Sequence, residues 1–161
     1  FTWVLGTVYE GQWAAGKRNG VGTYRHCSGA VYSGDWVDDI RHGRGRYTYP
    51  DGSVYEGDWQ RGKRTGQGML RHASGSVYEG QFVNGKRHGQ GTSTLADGAV
   101  YEGDWQDGKL NGSGGYRYPS GESYQGEFAD GKRHGLGIYT SAKGVVLECA
   151  WVRGARAENG G

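Results

Sequence analysis

Proline and sulfur are almost missing from this chain, whose 161 residues include two prolines, two cysteines and one methionine. Long hydrophobic runs are missing too: no stretch of 18 apolar residues occurs, which excludes a spanning helix read from hydropathy. No charged segment followed by an apolar one marks a signal peptide, so a soluble, cytoplasmic protein is the expectation. An excess of one charge is also lacking. With 19 basic and 17 acidic residues the net charge is +2, too even a balance for a nucleic-acid surface. Cys27 and Cys149 stand so far apart that an extended fold holds them beyond the roughly 7 Å between Cα atoms that a disulfide spans. Reduced thiols are expected.

What is present is glycine and aromatic rings in register: 34 Gly, six Trp and twelve Tyr. Tyr55-Glu56-Gly57-Asp58-Trp59 recurs every 23 residues, its leading aromatic at Tyr9, Tyr32, Tyr55, Tyr78, Tyr101 and Tyr124, with Leu147 in the slot of a seventh, degraded unit. A period of this size marks an array in which each unit packs on its neighbours. Residues 1–8 read as the tail of a truncated preceding repeat, 9–146 as six repeats, and 147–161 as a degenerate C-terminal repeat or cap. In the third unit two strands are read, Tyr55 to Trp59 and Gly66 to Leu70, joined by a loop from Gln60 to Thr65. Return turns fall at Pro50-Asp51-Gly52, Ala96-Asp97-Gly98 and Pro119-Ser120-Gly121. No segment keeps a 3.6-residue period, so no substantial helix is expected.

The fold class these signals predict is all-β: an elongated, single-sheet antiparallel meander of 23-residue β-hairpins. About 14 strands at ~4.8 Å spacing would make a twisted ribbon roughly 60–70 Å long. Alternation puts Tyr55, Gly57 and Trp59 on one face and Glu56 and Asp58 on the other. One face is then a ladder of rings on a floor of glycines, which make room for them.

The pattern resembles the MORN repeat, Tyr-Glu-Gly-x-Trp-x-x-Gly-x-x-x-Gly-x-Gly. Its fourth unit reads Tyr78-Glu79-Gly80-Gln81-Phe82 followed by Gly85-Lys86-Arg87-His88-Gly89-Gln90-Gly91, and the likeness covers almost the whole chain. MORN repeats occur beside enzyme domains, as in some phosphatidylinositol phosphate kinases and a histone methyltransferase, and in proteins made of little else. With repeats from end to end, this chain looks like the second class, typified by protist cytoskeletal scaffold proteins. The resemblance implies a non-enzymatic scaffold with cytoskeletal protein partners, and membrane binding is an idea attached to the same family.

No catalytic residue, cofactor or metal centre is read. Gly57 to Lys63, and its repeats at Gly80, Gly103 and Gly126, imitate a phosphate-binding loop, but Arg64, Arg87, Leu110 and Arg133 stand where it needs Ser or Thr. His42, His88 and His134 are placed in the tight loop, and His26 and His72 near the return turn, each set stepping by two repeats without zinc-ligand spacing. The carboxylates Glu10, Glu56, Glu79, Glu102, Asp35, Asp58 and Asp104 recur in identical surroundings, whereas an acid–base pair needs an asymmetric pocket.

Three surfaces are candidates for binding. The first is the basic set Lys17, Arg18, Lys63, Arg64, Lys86, Arg87, Lys132 and Arg133, which could meet phosphoinositide or other anionic headgroups, or could simply keep strand edges apart. The second is a groove of Trp13, Trp36, Trp59, Phe82, Trp105 and Phe128, open to a partner helix unless those rings fill the core. The third is the degenerate end, where Leu147 replaces Tyr, Cys149 and Glu158 replace Gly, and Ala155 replaces Lys. An isologous, antiparallel homodimer is expected there through Leu136, Ile138, Tyr139, Val146, Leu147, Cys149 and Trp151, with Cys149 near its symmetry mate as a weak metal or disulfide candidate. The alternative is that this strand only covers the last step of the ring ladder.

Overall fold

The structure, a computed structural model, describes residues 6–157. The readings made on residues 1–5 and on Glu158 lie outside the described residues. None of the described residues is helical, and fourteen strands follow one another in the sheet in chain order, which is an antiparallel meander of hairpins as the 23-residue period predicts.

The chain divides after Gly85 into two compact units. The first holds β1 (Val8–Ala14), β2 (Lys17–Arg25), β3 (Val31–Val37), β4 (Ile40–Thr48), β5 (Val54–Gln60), β6 (Lys63–Arg71) and β7 (Val77–Val83). The second holds β8 (Lys86–Thr94), β9 (Val100–Gln106), β10 (Lys109–Arg117), β11 (Ser123–Ala129), β12 (Lys132–Thr140), β13 (Val146–Val152) and the two-residue β14 (Ala155–Arg156).

The hairpin loops are shorter than the six residues read from sequence. Only Arg61 and Gly62 connect β5 to β6, at φ of 50° and 77°, the two left-handed residues of a type I′ turn. Lys63, Arg64 and Thr65 are therefore strand residues, and so are His42, His88 and His134, which were placed in the loop. The extra length is absorbed in a bulge. Gly57 pairs with Gly68 but the next residue, Asp58, pairs with Thr65, which leaves Gly66 and Gln67 without partners on β5. Those two pair instead with Phe82 and Gln81 of β7.

Gly66 sits at φ of 55°, so this glycine answers a backbone need and not the ring-room argument that predicted it. Asp58 caps the bulge by accepting the Gln67 N–H at 3.0 Å, as Gln12 accepts from Val21, Asp35 from Arg44 and Asp104 from Ser113. Asp58 stands on the polar face, as alternation predicts, with Arg44 Nε only at 3.9 Å from it. The principal bond of these acceptors is instead to the backbone, because the bulge turns an amide outward beside them.

The core is the face that carries the rings. Tyr32, Tyr55, Tyr78, Tyr101 and Tyr124 are each 2% exposed or less. The Tyr55 ring lies over the cross-strand pair Gly57 and Gly68, and its hydroxyl donates to the Asp58 carbonyl at 2.9 Å. A Cβ on Gly68 would stand 2.4 Å from that hydroxyl oxygen and 2.5 Å from Cε2. Tyr32, Tyr55, Tyr101 and Tyr124 each meet the ring of their own repeat and that of the next edge to face, as Tyr55 meets Trp59 at 5.2 Å and Phe82 at 5.1 Å.

Two glycine substitutions separate the two uses of glycine. Gly68→Ala forces the Tyr55 ring from its seat and should cost at least about 2 kcal/mol in urea unfolding. Gly98→Ala, at φ of 92° with nothing within 4 Å of the new methyl, should cost about 1 kcal/mol.

Candidate interaction surfaces

The arginines of the basic pairs belong to the ring ladder. Each lies over the aromatic ring eighteen residues later: Arg18 over Trp36 at 4.3 Å, Arg41 over Trp59 at 4.6 Å, Arg64 over Phe82 at 5.3 Å, Arg87 over Trp105 at 4.4 Å and Arg133 over Trp151 at 3.6 Å. A planar guanidinium suits this seat, since it stacks and still donates from its rim. Arg41 donates to the Gly62 carbonyl at 3.2 Å, Arg64 to that of Gly85 at 2.6 Å and Arg87 to that of Gly108 at 2.9 Å.

Of the eight residues read as lipid contacts, Arg18, Arg64, Arg87 and Arg133 are therefore half-buried on the ring face. Lys17, Lys63, Lys86 and Lys132 are exposed, one residue earlier on each strand and so directed away from that face.

The ring groove is filled. Trp36, Trp59, Phe82, Trp105 and Phe128 are 6% exposed or less, because neighbouring tyrosines and arginines close over them. Trp13 differs, at 56% exposed. The indole N–H groups of Trp36, Trp59 and Trp105 donate to the carbonyls of Gly22, Gly45 and Gly91, each at 3.1 Å.

At the C-terminal end the seven residues read as one interface divide between the two faces of the hairpin. Leu136, Ile138 and Val146 lie on the outer face, where Leu136 is 75% exposed. Tyr139, Leu147, Cys149 and Trp151 lie on the ring face. Cys149 is buried, so its thiol has no open approach to a symmetry mate or to a shared metal. Trp151 is buried too, and its indole N–H lacks an acceptor among the described residues. No cluster of three or more His, Cys, Asp or Glu suited to a metal occurs among the described residues.

Asp39 was not singled out by the sequence reading. It stands where other repeats carry Gly62 or Gly85, and its carboxylate accepts both the Arg18 backbone N–H and Nε at 2.9 Å. Those bonds hold its carboxyl below the usual range. The available signal was the loss of glycine at that phase. The arginine ladder had a signal as well, in the 23-residue recurrence of Arg18, Arg41, Arg64, Arg87, Arg133 and Arg156, broken once by Leu110.

Burial, with the nearby Asp104 carboxylate adding to it, pushes the Tyr101 phenol up to about 12, and Tyr32 and Tyr55 move upward for the same reasons.

Stacked 23-residue hairpins with one ring-lined face define a repeat protein of the structural and binding kind. The chain belongs to the MORN-repeat family, whose model, described as MORN repeat, matches residues 9–31, 32–54, 55–77, 78–100, 101–123 and 124–146. Among curated proteins none matches the chain.

Of solved structures, the chain is similar to the SAS-4 TCP domain of Drosophila melanogaster, determined in complex with a proline-rich motif of Ana2. That match has 14% identity and a TM-score of 0.53, covering 86% of this chain and 82% of that one. The TCP10c domain of Drosophila melanogaster Sas-4 is similar at 14% identity and a TM-score of 0.43, covering 80% and 91%. For the TCP10 domain of Danio rerio CPAP the values are 14% and 0.34, covering 92% and 81%. At these identities the first likeness is one of fold.

Two measurements follow. Arg41→Ala removes a stacked cation and a hydrogen bond and should lower stability by about 1–2 kcal/mol, while Lys63→Ala stays within about 0.5 kcal/mol, both read by thermal unfolding. The tyrosine pKa values are higher folded than unfolded, so the stability they contribute is complete below pH 10.0 and is lost as pH rises toward about 12. Phenolate absorbance should accordingly rise in step with loss of the circular dichroism signal.

Proposed function

We propose that this chain is a non-enzymatic scaffold that homodimerises through its C-terminal repeats and organises a cytoskeletal or membrane-associated assembly in the cytoplasm. The observation that carries the dimer is the outer face of β12 and β13, where Leu136, Ile138, Val146 and Val152 are exposed together. In the first unit the phase of Leu136 holds Val21, Arg44 and Gln67 and the phase of Ile138 holds Thr23, Arg46 and Met69, so no earlier hairpin there has apolar residues at both phases. A cluster of exposed apolar side chains, interrupted only by Glu148 opposite Ile138, is the mark of an interface. A two-fold contact places this patch on its own copy.

The absence of catalysis is argued from repetition, since six near-identical hairpins offer no asymmetric pocket in which two acids could be driven apart. Protein partners are supported by the family and by the SAS-4 domain, a similar sheet solved with a peptide of another protein. A second reading, a tether to anionic lipid, is favoured by the exposure of Lys17, Lys63, Lys86 and Lys132, each at the same phase of its own hairpin.

Light scattering at tens of micromolar should give the mass of a dimer, and Leu136→Asp with Val146→Asp should give a monomer of unchanged circular dichroism. A wild-type monomer sinks the dimer. In liposome co-sedimentation at moderate salt, a tether binds more as phosphoinositide content rises and loses that binding in Lys63→Glu, Lys86→Glu, Lys132→Glu. Binding indifferent to phosphoinositide removes the lipid reading.

A further inference from the structure

The return turns, which join each hairpin to the next, alternate in chemistry with a period of two repeats. Arg25, Arg71 and Arg117 close the strand before every second turn, and Thr48, Thr94 and Thr140 close the strands before the others. Three residues on, the first set has Ser28, Ser74 and Ser120, and the second has Asp51, Asp97 and Lys143. Charge pairing would set an acid beside an arginine. The pattern runs the other way, with the acid beside threonine and the neutral hydroxyl beside arginine.

The backbone is the same in both kinds of turn. Gly29 donates to the His26 carbonyl at 2.9 Å, Gly52 to that of Tyr49 at 3.0 Å and Gly75 to that of His72 at 2.9 Å, with the three glycines at φ of 91°, 89° and 96°. In the middle turn the Asp51 carboxylate accepts the Ser53 N–H at 2.8 Å. The Ala30 and Ser76 N–H groups hold the phase of that donor in the serine turns, so the same backbone accommodates an anion there.

Ser28 and Ser74 are exposed, and so are Arg25 and Arg71. The arginines of the ring ladder are engaged by indoles and carbonyls, whereas Arg25 and Arg71 make no ion pair or hydrogen bond among the described residues. His26 Nδ1 accepts the Ser28 N–H at 3.1 Å and lies 2.8 Å from its Oγ, which puts an imidazole at hand for a phosphate. His72 holds the same phase before Ser74. Ser120 differs. Its hydroxyl donates to the Glu122 carboxylate at 3.3 Å, where a phosphate would meet like charge.

We propose that Ser28 and Ser74 are phosphorylated by a serine kinase of the class that selects arginine three residues before its acceptor. The serine Oγ attacks the γ-phosphorus of ATP, the bond to the β,γ-bridging oxygen breaks, ADP leaves, and the hydroxyl proton passes to the carboxylate base of the kinase. The unengaged arginine gives the kinase a charged group to grip, and an exposed loop tip of small residues is open to a modifying enzyme. The product is a row of anions at positions 28, 51 and 74, about 10 Å apart, along an edge that otherwise carries arginine and histidine. This modification requires neither the outer-face dimer nor the lipid tether.

The 161-residue chain, incubated with magnesium, ATP and a calmodulin-dependent protein kinase, which is of that class, should gain two phosphoryl groups by intact mass, mapped to Ser28 and Ser74. Arg25→Ala should slow modification of Ser28 at least about tenfold and leave Ser74 unchanged, and Arg71→Ala should do the reverse, the size of one charge-assisted hydrogen bond. Each variant is thus the folding control for the other. The destabilised Gly68→Ala chain should be modified no faster than wild type. A chain without phosphate at either serine, Ser120 modified as fast as Ser28, or arginine variants that behave like wild type overturns the assignment. So does a rate that climbs in Gly68→Ala, since the unfolded chain would then be the substrate.

Discussion

A tyrosine ring seated across a cross-strand pair of glycines is the contact on which the rest of this structure depends. The Tyr55 ring can lie against the sheet because neither Gly57 nor Gly68 has a Cβ to hold it off, and its hydroxyl then reaches the Asp58 carbonyl. That seat brings the ring edge against Trp59 and Phe82, so one side chain joins two repeats. The same geometry excludes large aliphatic residues from the glycine positions. This explains how a chain poor in aliphatic residues, one that composition would class as disordered, closes a core from rings laid on bare backbone.

The second layer of that core is cationic. Arginine planes cover the outer surfaces of the indoles and complete the burial that a single sheet cannot provide by itself. Because each arginine acts on the ring of the following hairpin, every step needs a neighbour on both sides. Arg41 in the first unit and Arg87 in the second show the step complete, each stacked on the next hairpin's indole and bonded to its turn. Interaction surfaces in such an array are therefore sought where the repeat alters its chemistry, as at the Leu136 face.

Much of this was legible from the residues. The 23-residue beat carries the hairpins, the single-sheet order, the buried tyrosines and the family, because it records which side chain meets which at every step. Legibility failed where one residue type serves two purposes. Gly66 and Gly68 look alike in sequence, yet one takes a left-handed bulge conformation and the other gives room to a ring. Lys63 and Arg64 look like one basic pair, yet alternation sends them to opposite sides, and only the arginine has a plane that stacks. Leu136 and Leu147 look like one apolar end, yet the pleat puts them on different faces.

The sequence by itself determined the periodicity, the class of fold and the identity of the rings, since these follow from spacing and from the conformations glycine permits. Tertiary structure decided which of the repeated groups are spent on the core and which remain available. That decision depends on the bulge after each Tyr-x-Gly and on the cation placed over each indole. The bulge forms within a hairpin, between residues nine apart such as Asp58 and Gln67, whereas the cation comes from contacts 18 to 21 residues apart between hairpins, which no single repeat contains.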